Sequence, residues 1–232
     1  MKFNRTTTKT ITSALTGLGA MAVTLSASAL TIDINTYVTG SPVSGTATVA
    51  TLTLTQNGGN VDFRLDNSVD NLPGNIGDDA FISQLLFSYD TSPLLTSASF
   101  SNFGGTQSVI AGDFDINPSG KNAGYDFYLE LDYPTTGANR FMDGEFTTWT
   151  VNNVVVNDFL GSVTGSAIAG LAMVHIQQVG AGPGGANSLK YIGNVGTPPP
   201  PPDPQNPVPE PMSLALIGIG LVSLSVMRKR KK

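Results

Sequence analysis

The only imidazole in the chain is that of His175, in the segment Leu171–Gln177. As a general base, His175 would need a serine and a carboxylate that converge on it from other parts of the fold. No serine lies in a G-x-S-x-G turn, the setting of the nucleophile in many serine hydrolases. His175 also alternates with Leu171 and Met173 along a predicted strand. The pattern favours a hydrogen-bonded structural histidine, and we predict no catalytic residues.

Paired carboxylates are a second kind of candidate site, because glycosidases use two acidic side chains about 5–10 Å apart. Between residues 30 and 196, the glutamates are Glu130 and Glu145, and the many aspartates cluster in predicted turns. The sequence alone does not pair any two of these groups. A solvated acidic surface explains most of them, so a hydrolase is the least favoured interpretation.

Alternating oxygen-bearing side chains at Asp113, Asp115 and Asn117 resemble the start of a calcium-binding loop. An EF-hand loop needs glycine at its sixth position and glutamate at its twelfth, where this chain has Pro118 and Gly124. The pattern therefore predicts no defined metal site and no cofactor. A looser Ca²⁺ site on an acidic protein surface remains an alternative.

Aromatic and threonine side chains offer two further possibilities. Trp149 and strand tyrosines such as Tyr128 could stack on sugar rings, although aromatic residues in strands more often pack in the core. The threonines of Thr46–Thr55 fit the polar side of an ordinary strand, and equally a flat ice-binding face.

Charge and composition exclude several classes of function. The chain has 232 residues and a net charge of −5, but residues 30–196 carry four basic and fifteen acidic side chains, a net charge of −11. We call residues 30–196 the body of the protein. Its negative charge repels phosphate backbones, so we expect no nucleic acid partner. Cysteine is absent, which excludes disulfides, thiolate metal sites, a cysteine nucleophile and a lipid-anchored cysteine.

The N-terminal segment, residues 1–29, has the three parts of a secretory signal peptide. Lys2, Arg5 and Lys9 form a basic start, and a mildly apolar run follows. Small residues then close the segment, with Ala27 and Ala29 in the A-x-A pattern that predicts cleavage before residue 30. A retained anchor is disfavoured because the apolar run is short and rich in threonine, serine and glycine.

The C-terminal segment has the features of an insertion and processing signal. Residues 197–207 form a proline-rich linker, in which locked φ angles and missing N–H donors favour an extended polyproline II conformation. Residues 212–227 contain no charge and predict a short transmembrane helix. Five basic residues end the chain and predict a cytoplasmic stop, by the positive-inside bias: Arg228, Lys229, Arg230, Lys231 and Lys232.

Between linker and helix stands the motif Val208-Pro209-Glu210-Pro211. Followed by a short apolar helix and a basic tail, the motif resembles the PEP-CTERM sorting signal of Gram-negative bacteria, over residues 208–232. The resemblance implies transient insertion into the inner membrane and handling by exosortase, a membrane-embedded enzyme of cysteine transpeptidase type. It also implies release to the cell surface or extracellular matrix. A permanently anchored periplasmic protein is the alternative fate.

The exported domain, residues 30–196, reads as β-rich. Apolar and polar residues alternate with a period of two in Thr46–Thr55, in 61–66 and in Gly124–Asp132, and a turn at 56–60 predicts a hairpin. Further strands are predicted at Phe81–Tyr89, Phe146–Val151, Val154–Val156 and Leu171–Gln178. We therefore expect an all-β fold, an antiparallel β-sandwich of two sheets.

Export and sorting are thus the functions that the sequence indicates most directly. For the body we expect a non-enzymatic surface or matrix protein that associates with extracellular polysaccharide. A specific carbohydrate-binding module or adhesin is the main alternative.

Overall fold

A computed structural model describes residues 29–41, 45–118, 122–165, 168–180 and 187–195. Within these ranges the regular structure is β, and the helices are short 3-10 turns. The strands of this described part are β1 (Ala29–Gly40), β2 (Ala50–Asn57), β3 (Asn60–Asn67), β4 (Phe81–Phe87), β5 (Phe100–Gly105), β6 (Phe114–Ile116), β7 (Leu129–Asp132), β8 (Phe141–Met142), β9 (Phe146–Asn152), β10 (Val163–Thr164), β11 (Ala169–Gly170), β12 (Ala172–Val179) and β13 (Asn187–Val195). The 3-10 turns span Val69–Asn71, Pro73–Asn75, Ser97–Ser99, Ala111–Asp113, Gly137–Asn139 and Val156–Phe159.

The β2–β3 hairpin shows how the alternating pattern produces a strand with two different faces. Leu52 and Leu54 of β2 are buried, and the threonines that alternate with them, Thr51, Thr53 and Thr55, lie on the opposite face. The strands join at Gly58, whose φ of 60° is left-handed and favours glycine. Antiparallel pairing between β2 and β3 confirms the predicted hairpin.

One antiparallel sheet contains most of the described strands. Its order is β5-β9-β3-β2-β1-β13-β12-β4-β7-β6, with β8 paired to β4, and β10 and β11 form a separate two-stranded sheet. Every pair is antiparallel, which confirms the all-β antiparallel class. The strands do not separate into the two sheets of the predicted sandwich, because β1 pairs with β13. This pairing joins one half of the sheet, made of β5, β9, β3, β2 and β1, to the other half, made of β13, β12, β4, β7 and β6.

The large sheet curls until its two ends meet across the core. Phe100 of β5 and Phe114 of β6, the strands at opposite ends of the sheet, stack with ring centroids 4.1 Å apart. The β1–β13 register shifts between Ile34 and Thr36 and again between Tyr37 and Thr39. Such bulges increase local twist, so they help a single sheet to bend back on itself.

Rings from both halves fill the concave, inner face of the sheet. Phe63 of β3 and Trp149 of β9 stack almost in parallel, with centroids 5.1 Å apart. Phe87 comes from β4 in the other half and lies 5.7 Å from Phe63. Phe159 meets Phe63 edge to face at 4.9 Å, which closes the cluster with the turn after β9. These contacts supply the burial that a two-sheet sandwich would otherwise provide.

A second apolar cluster covers part of the convex, outer face. Leu86, Met173 and Ile192 project there from β4, β12 and β13, and Tyr125 and Phe127 pack over them. The Tyr125 hydroxyl donates to the backbone carbonyl of residue 168 at 2.7 Å. Both faces of these three strands are therefore buried locally. This burial explains why the sequence of β4 is an almost continuous run of apolar residues.

The structure corrects the single strand predicted for residues 124–132. Only Leu129–Asp132 form a strand, β7, whose leucines lie in the main core. Tyr125 and Phe127, predicted on the same face as those leucines, belong to the outer cluster instead. The chain crosses from the outer face to the sheet between these two parts, so the alternation does not reflect one continuous strand.

Of the other predicted strands, one is wrong and four are confirmed. Val154–Val156 is wrong as a strand, because a 3-10 turn begins at Val156. Four predictions are confirmed with shifted ends: Thr46–Thr55 as β2, Phe81–Tyr89 as β4, Phe146–Val151 as β9 and Leu171–Gln178 as β12.

Gly193 of β13 allows β1 to approach closely. A substitution at Gly193 therefore tests the β1–β13 pairing that joins the two halves of the sheet. A Cβ at this position would lie 2.5 Å from the carbonyl oxygen of Asp33 and 2.9 Å from the Cα of Ile34. We expect Gly193→Ala to lower the free energy of unfolding by about 1–3 kcal/mol, because the backbone must shift. Urea unfolding followed by Trp149 fluorescence measures this change.

Gly45→Ala is the matched control, since a Cβ at Gly45 meets no atom within 4 Å. Equal stabilities of the two variants would contradict the close β1–β13 approach.

Candidate functional site

The residues predicted to direct sorting lie almost wholly outside the described part of the structure. Outside it are Ala27, the motif Val208–Pro211, the helix 212–227 and the basic tail 228–232. Ala29 is described: it is the first residue of β1 and pairs with Thr55. Within the described ranges, no helix combines the length and apolar character that crossing a membrane requires. The cleavage site and the membrane helix therefore stay predictions.

His175 lies on the outer face of β12, flanked in register by Lys190 of β13 and Gln84 of β4. Its ring is partly buried, and this burial, together with the positive charge of Lys190, lowers the pKa of the imidazole. Ser83 is buried on the neighbouring strand, and its hydroxyl donates to the backbone carbonyl of His175 at 3.1 Å. Ser83 and His175 therefore do not form the nucleophile–base pair of a triad.

A network of polar side chains surrounds this position on the outer face. The Gln84 amide donates to the Glu130 carboxylate at 2.5 Å and to the Asp132 carboxylate at 3.0 Å. The Lys190 ammonium donates to the Asn122 side-chain oxygen, and the Asn122 amide donates to Gln84 at 3.4 Å. The network links β4, β7 and β13 with the segment that covers them.

Electrostatics within the network follow from partial burial and from the clustering of acidic groups. Burial raises the pKa of Glu130, and the nearby carboxylates of Asp132 and Asp115 raise it further. Burial also lowers the pKa of Lys190, an effect that Glu130 opposes. Glu130 and Asp132 both accept hydrogen bonds from the Gln84 amide, so their carboxylates help to hold β7 against β4.

The two glutamates considered as a catalytic pair occupy different kinds of position. Glu145 lies in the turn between β8 and β9, where its carboxylate accepts a hydrogen bond from the Met142 amide at 2.7 Å. Glu130 lies on β7 within the network described above. Each of the two carboxylates thus accepts a hydrogen bond from a neighbouring group, which gives it a structural role where it lies.

The residues that suggested a calcium loop serve a turn and a strand. The Asp113 carboxylate accepts a hydrogen bond from the Ile110 amide at 2.8 Å, and Asp115 lies on β6 opposite Glu130. Asn117 has a φ of 58°, and its backbone N–H donates to the backbone carbonyl of Tyr128 at 2.7 Å. In the described ranges, no three or more His, Cys, Asp or Glu side chains are grouped so that they could hold a metal ion. A looser Ca²⁺ site stays a prediction.

Trp149 cannot serve as the predicted platform for a sugar ring, because only 1% of its surface is exposed. Its indole stacks on Phe63 inside the core. Tyr128 is partly buried, and its ring centroid lies 5.8 Å from that of Tyr89. Sugar stacking on Trp149 is therefore excluded by its burial.

A shallow groove of about 410 Å³, lined by both polar and apolar surface, lies on the outer face of the other half of the sheet. We call it the threonine groove. The polar side chains that line it come from β2, β3 and β9, with one from β5: Thr53, Thr55, Asn57, Asp62, Arg64, Asn102, Thr148 and Thr150. Phe63 and Trp149 also border it.

Strand register assembles the groove from three separate parts of the chain. Thr53 of β2 lies opposite Arg64 of β3, which in turn lies opposite Thr148 of β9. In the next row, Asp62 of β3 lies between Thr55 and Thr150. Sequence reasoning considered the threonines of β2 alone. Polar residues also alternate in β3 and β9, and this pattern could have indicated that the polar surface continues beyond β2. The register that aligns the three strands, however, cannot be read from the sequence.

Hydrogen bonds and stacking hold the charged floor of the groove in place. The two oxygens of Asp62 accept from the Thr150 hydroxyl at 2.6 Å and from the Asn57 amide at 2.8 Å. The Arg64 guanidinium donates to Asp66 at 2.5 and 2.8 Å and lies 3.7 Å above the Phe146 ring. Fixed donors and acceptors of this kind suit a ligand with many hydroxyl groups better than an apolar one.

The environment of His175 can be tested by NMR, since the chain contains no other imidazole. We expect its pKa to lie below the ordinary value for histidine, so that the ring stays neutral to a lower pH than an exposed imidazole does. Lys190→Gln should raise this pKa, because it removes the neighbouring positive charge. A titration of the imidazole Cε1–H signal measures both values.

Arg64→Gln is the control, because it removes a cation from β3 in the other half of the sheet. An unchanged His175 pKa in the Lys190 variant would show that Lys190 does not act on the imidazole.

Comparison with known proteins identifies one segment of the chain. Residues 207–231 match the family model of the PEP-CTERM protein-sorting motif, in agreement with the resemblance of residues 208–232. Neither the curated proteins nor the solved structures contain a match to this chain. The motif marks an exported protein that is anchored at the membrane during sorting and is a target of an exosortase-type enzyme. Through this C-terminal segment, the chain is a PEP-CTERM sorting-domain protein.

Proposed function

We propose that the chain is a non-enzymatic structural protein of the cell surface or extracellular matrix of a Gram-negative bacterium. In this proposal, the signal peptide directs export and the helix 212–227 holds the chain in the inner membrane. Cleavage near Glu210 then releases the β-rich body. The observation that carries the proposal is the PEP-CTERM match at residues 207–231.

Association with extracellular polysaccharide completes the proposal. The body is cysteine-free and strongly acidic, with a net charge of −11 over residues 30–196. Such a protein stays soluble through self-repulsion and can remain dispersed in a hydrated polymer gel. A non-enzymatic role is supported by the local hydrogen bonds of the Glu130 and Glu145 carboxylates, to the Gln84 amide and the Met142 backbone N–H. It is also supported by Ser83, whose hydroxyl donates to the backbone of His175 and not to its ring.

A carbohydrate-binding module or adhesin is the second candidate function. The threonine groove favours it, since the groove is open at the outer face and carries threonine hydroxyls beside an Asp62 carboxylate that two hydrogen bonds hold in place. The two candidates differ in one measurable respect: a binding module has a saturable site, whereas a matrix protein held by weak contacts does not.

The sorting part of the proposal is tested in a bacterium that carries an exosortase. Replacement of Pro209, Glu210 and Pro211 by alanine should keep the protein in the membrane fraction, because the extended processing site is lost. The wild-type protein should appear in the extracellular fraction without residues 212–232. Fractionation and mass spectrometry of the C-terminal peptide measure both outcomes.

A matched control replaces Pro199, Pro200 and Pro201 by alanine, which alters the linker and leaves the motif intact. This control should be processed like the wild type. Recovery of the intact C-terminal peptide from mature wild-type surface protein would reject processing and favour a permanent anchor.

A further inference from the structure

We propose that the threonine groove is a binding site for a neutral polysaccharide chain. This inference deepens the second candidate function, the carbohydrate-binding module, and rests on the proposed export for the presence of such polymers around the protein. It differs from the proposed function in assigning binding to one surface of the body.

Unused hydroxyl groups are the first observation that points to a polyhydroxylated ligand. Thr53, Thr55 and Thr148 line the groove, and their side chains make no hydrogen bond to any residue that the structure describes. Each hydroxyl has a donor and two acceptor positions. Sugar hydroxyls have the same dual character, so they can pair with these groups in either direction.

The arrangement of the three strands places these hydroxyls around a fixed polar floor. Thr53 and Thr55 lie on β2 and Thr148 on β9, while β3 runs between them with Arg64 and Asp62. Neighbouring strands are about 4.8 Å apart, and alternate residues of one strand about 6.7 Å. A ligand that lies across the strands therefore meets the threonines at both sides and the charged groups of β3 between them.

Asp62 is prepared to accept further hydrogen bonds. Its two oxygens each accept one hydrogen bond, from Thr150 and from Asn57. An ionised carboxylate has about four acceptor positions, so lone pairs remain available to ligand hydroxyls. Since the two existing bonds fix the rotamer of Asp62, a ligand does not have to order this side chain.

Charge decides in favour of a neutral polymer over an anionic one. Arg64 is the cation of the groove, and Asp66 already neutralises it through two hydrogen bonds. Asp62 places a negative charge in the groove itself, and residues 30–196 as a whole carry a net charge of −11. A uronate or sulfated polymer would be repelled, whereas a neutral sugar loses nothing to this field.

The test uses the full chain, purified in mild detergent, so that it does not depend on processing. Dextran, soluble cellulose oligosaccharides and galactomannan serve as neutral probes and alginate as the anionic probe. Calorimetric titration should show saturable binding of at least one neutral probe. The triple variant Thr53→Val, Thr55→Val, Thr148→Val should bind that probe at least about tenfold more weakly, because three hydrogen bonds are lost while side-chain shape is kept.

Two matched variants isolate the hydroxyl groups. Serine at the same three positions keeps the hydroxyls and should retain most of the binding. Valine at Thr39, Thr135 and Thr136, which are exposed and lie outside the groove, should leave binding unchanged. Circular dichroism checks folding, and if the triple valine variant does not fold, Thr55→Val alone should weaken binding about threefold.

Three results would overturn the inference: no binding of any neutral probe, equal binding by the valine variant and the wild type, or tighter binding of alginate than of every neutral probe. Failure of the proposed function shows separately. The triple valine variant should still be exported and processed in the host, so fractionation reports on sorting while calorimetry reports on the groove.

Discussion

The pairing of β1 with β13 is the constraint on which the rest of the described structure depends. It joins a half-sheet made of β5, β9, β3, β2 and β1 to one made of β13, β12, β4, β7 and β6. Without this seam, the halves would each expose an edge and an apolar face. Gly193 allows the close approach, and the two register shifts in β1 let the strand bend while it stays paired. The curl that results brings Phe63, Phe87 and Trp149 together from both halves.

The same curl gives the outer surface two different characters. Over β4, β12 and β13, an apolar cluster with Tyr125 covers the sheet, and a polar network around Gln84 borders it. Over β2, β3 and β9, the outward side chains of the threonine groove remain accessible. Hydrogen-bonding groups in the first region are largely engaged with one another, whereas several hydroxyls in the second are not. This contrast is the physical reason to place a ligand site on the second region and not around His175.

Sorting and binding are assigned to separate parts of the chain. The PEP-CTERM motif at residues 207–231 marks the protein for sorting, and in our proposal the predicted helix 212–227 and the basic tail act together with it. The body contributes a rigid surface whose polar groups are set by strand register. Such a division allows the sorting segment to be removed without any change in the groove, since no residue of the groove comes from the C-terminal part of the chain.

The sequence by itself determined the sorting class and the all-β nature of the body. The PEP motif is read from consecutive residues, and period-two alternation in β2 and β3 follows from local geometry, so neither needs tertiary information. Only the tertiary structure decided that the strands form one curled sheet, that Trp149 is buried and that Tyr125 packs on the outer face. It also decided which threonines share a surface, because Thr53 and Thr148 are distant in the chain and are aligned through Arg64. Alternation shows that a strand has two faces, but which face is covered depends on segments that pack from elsewhere in the chain.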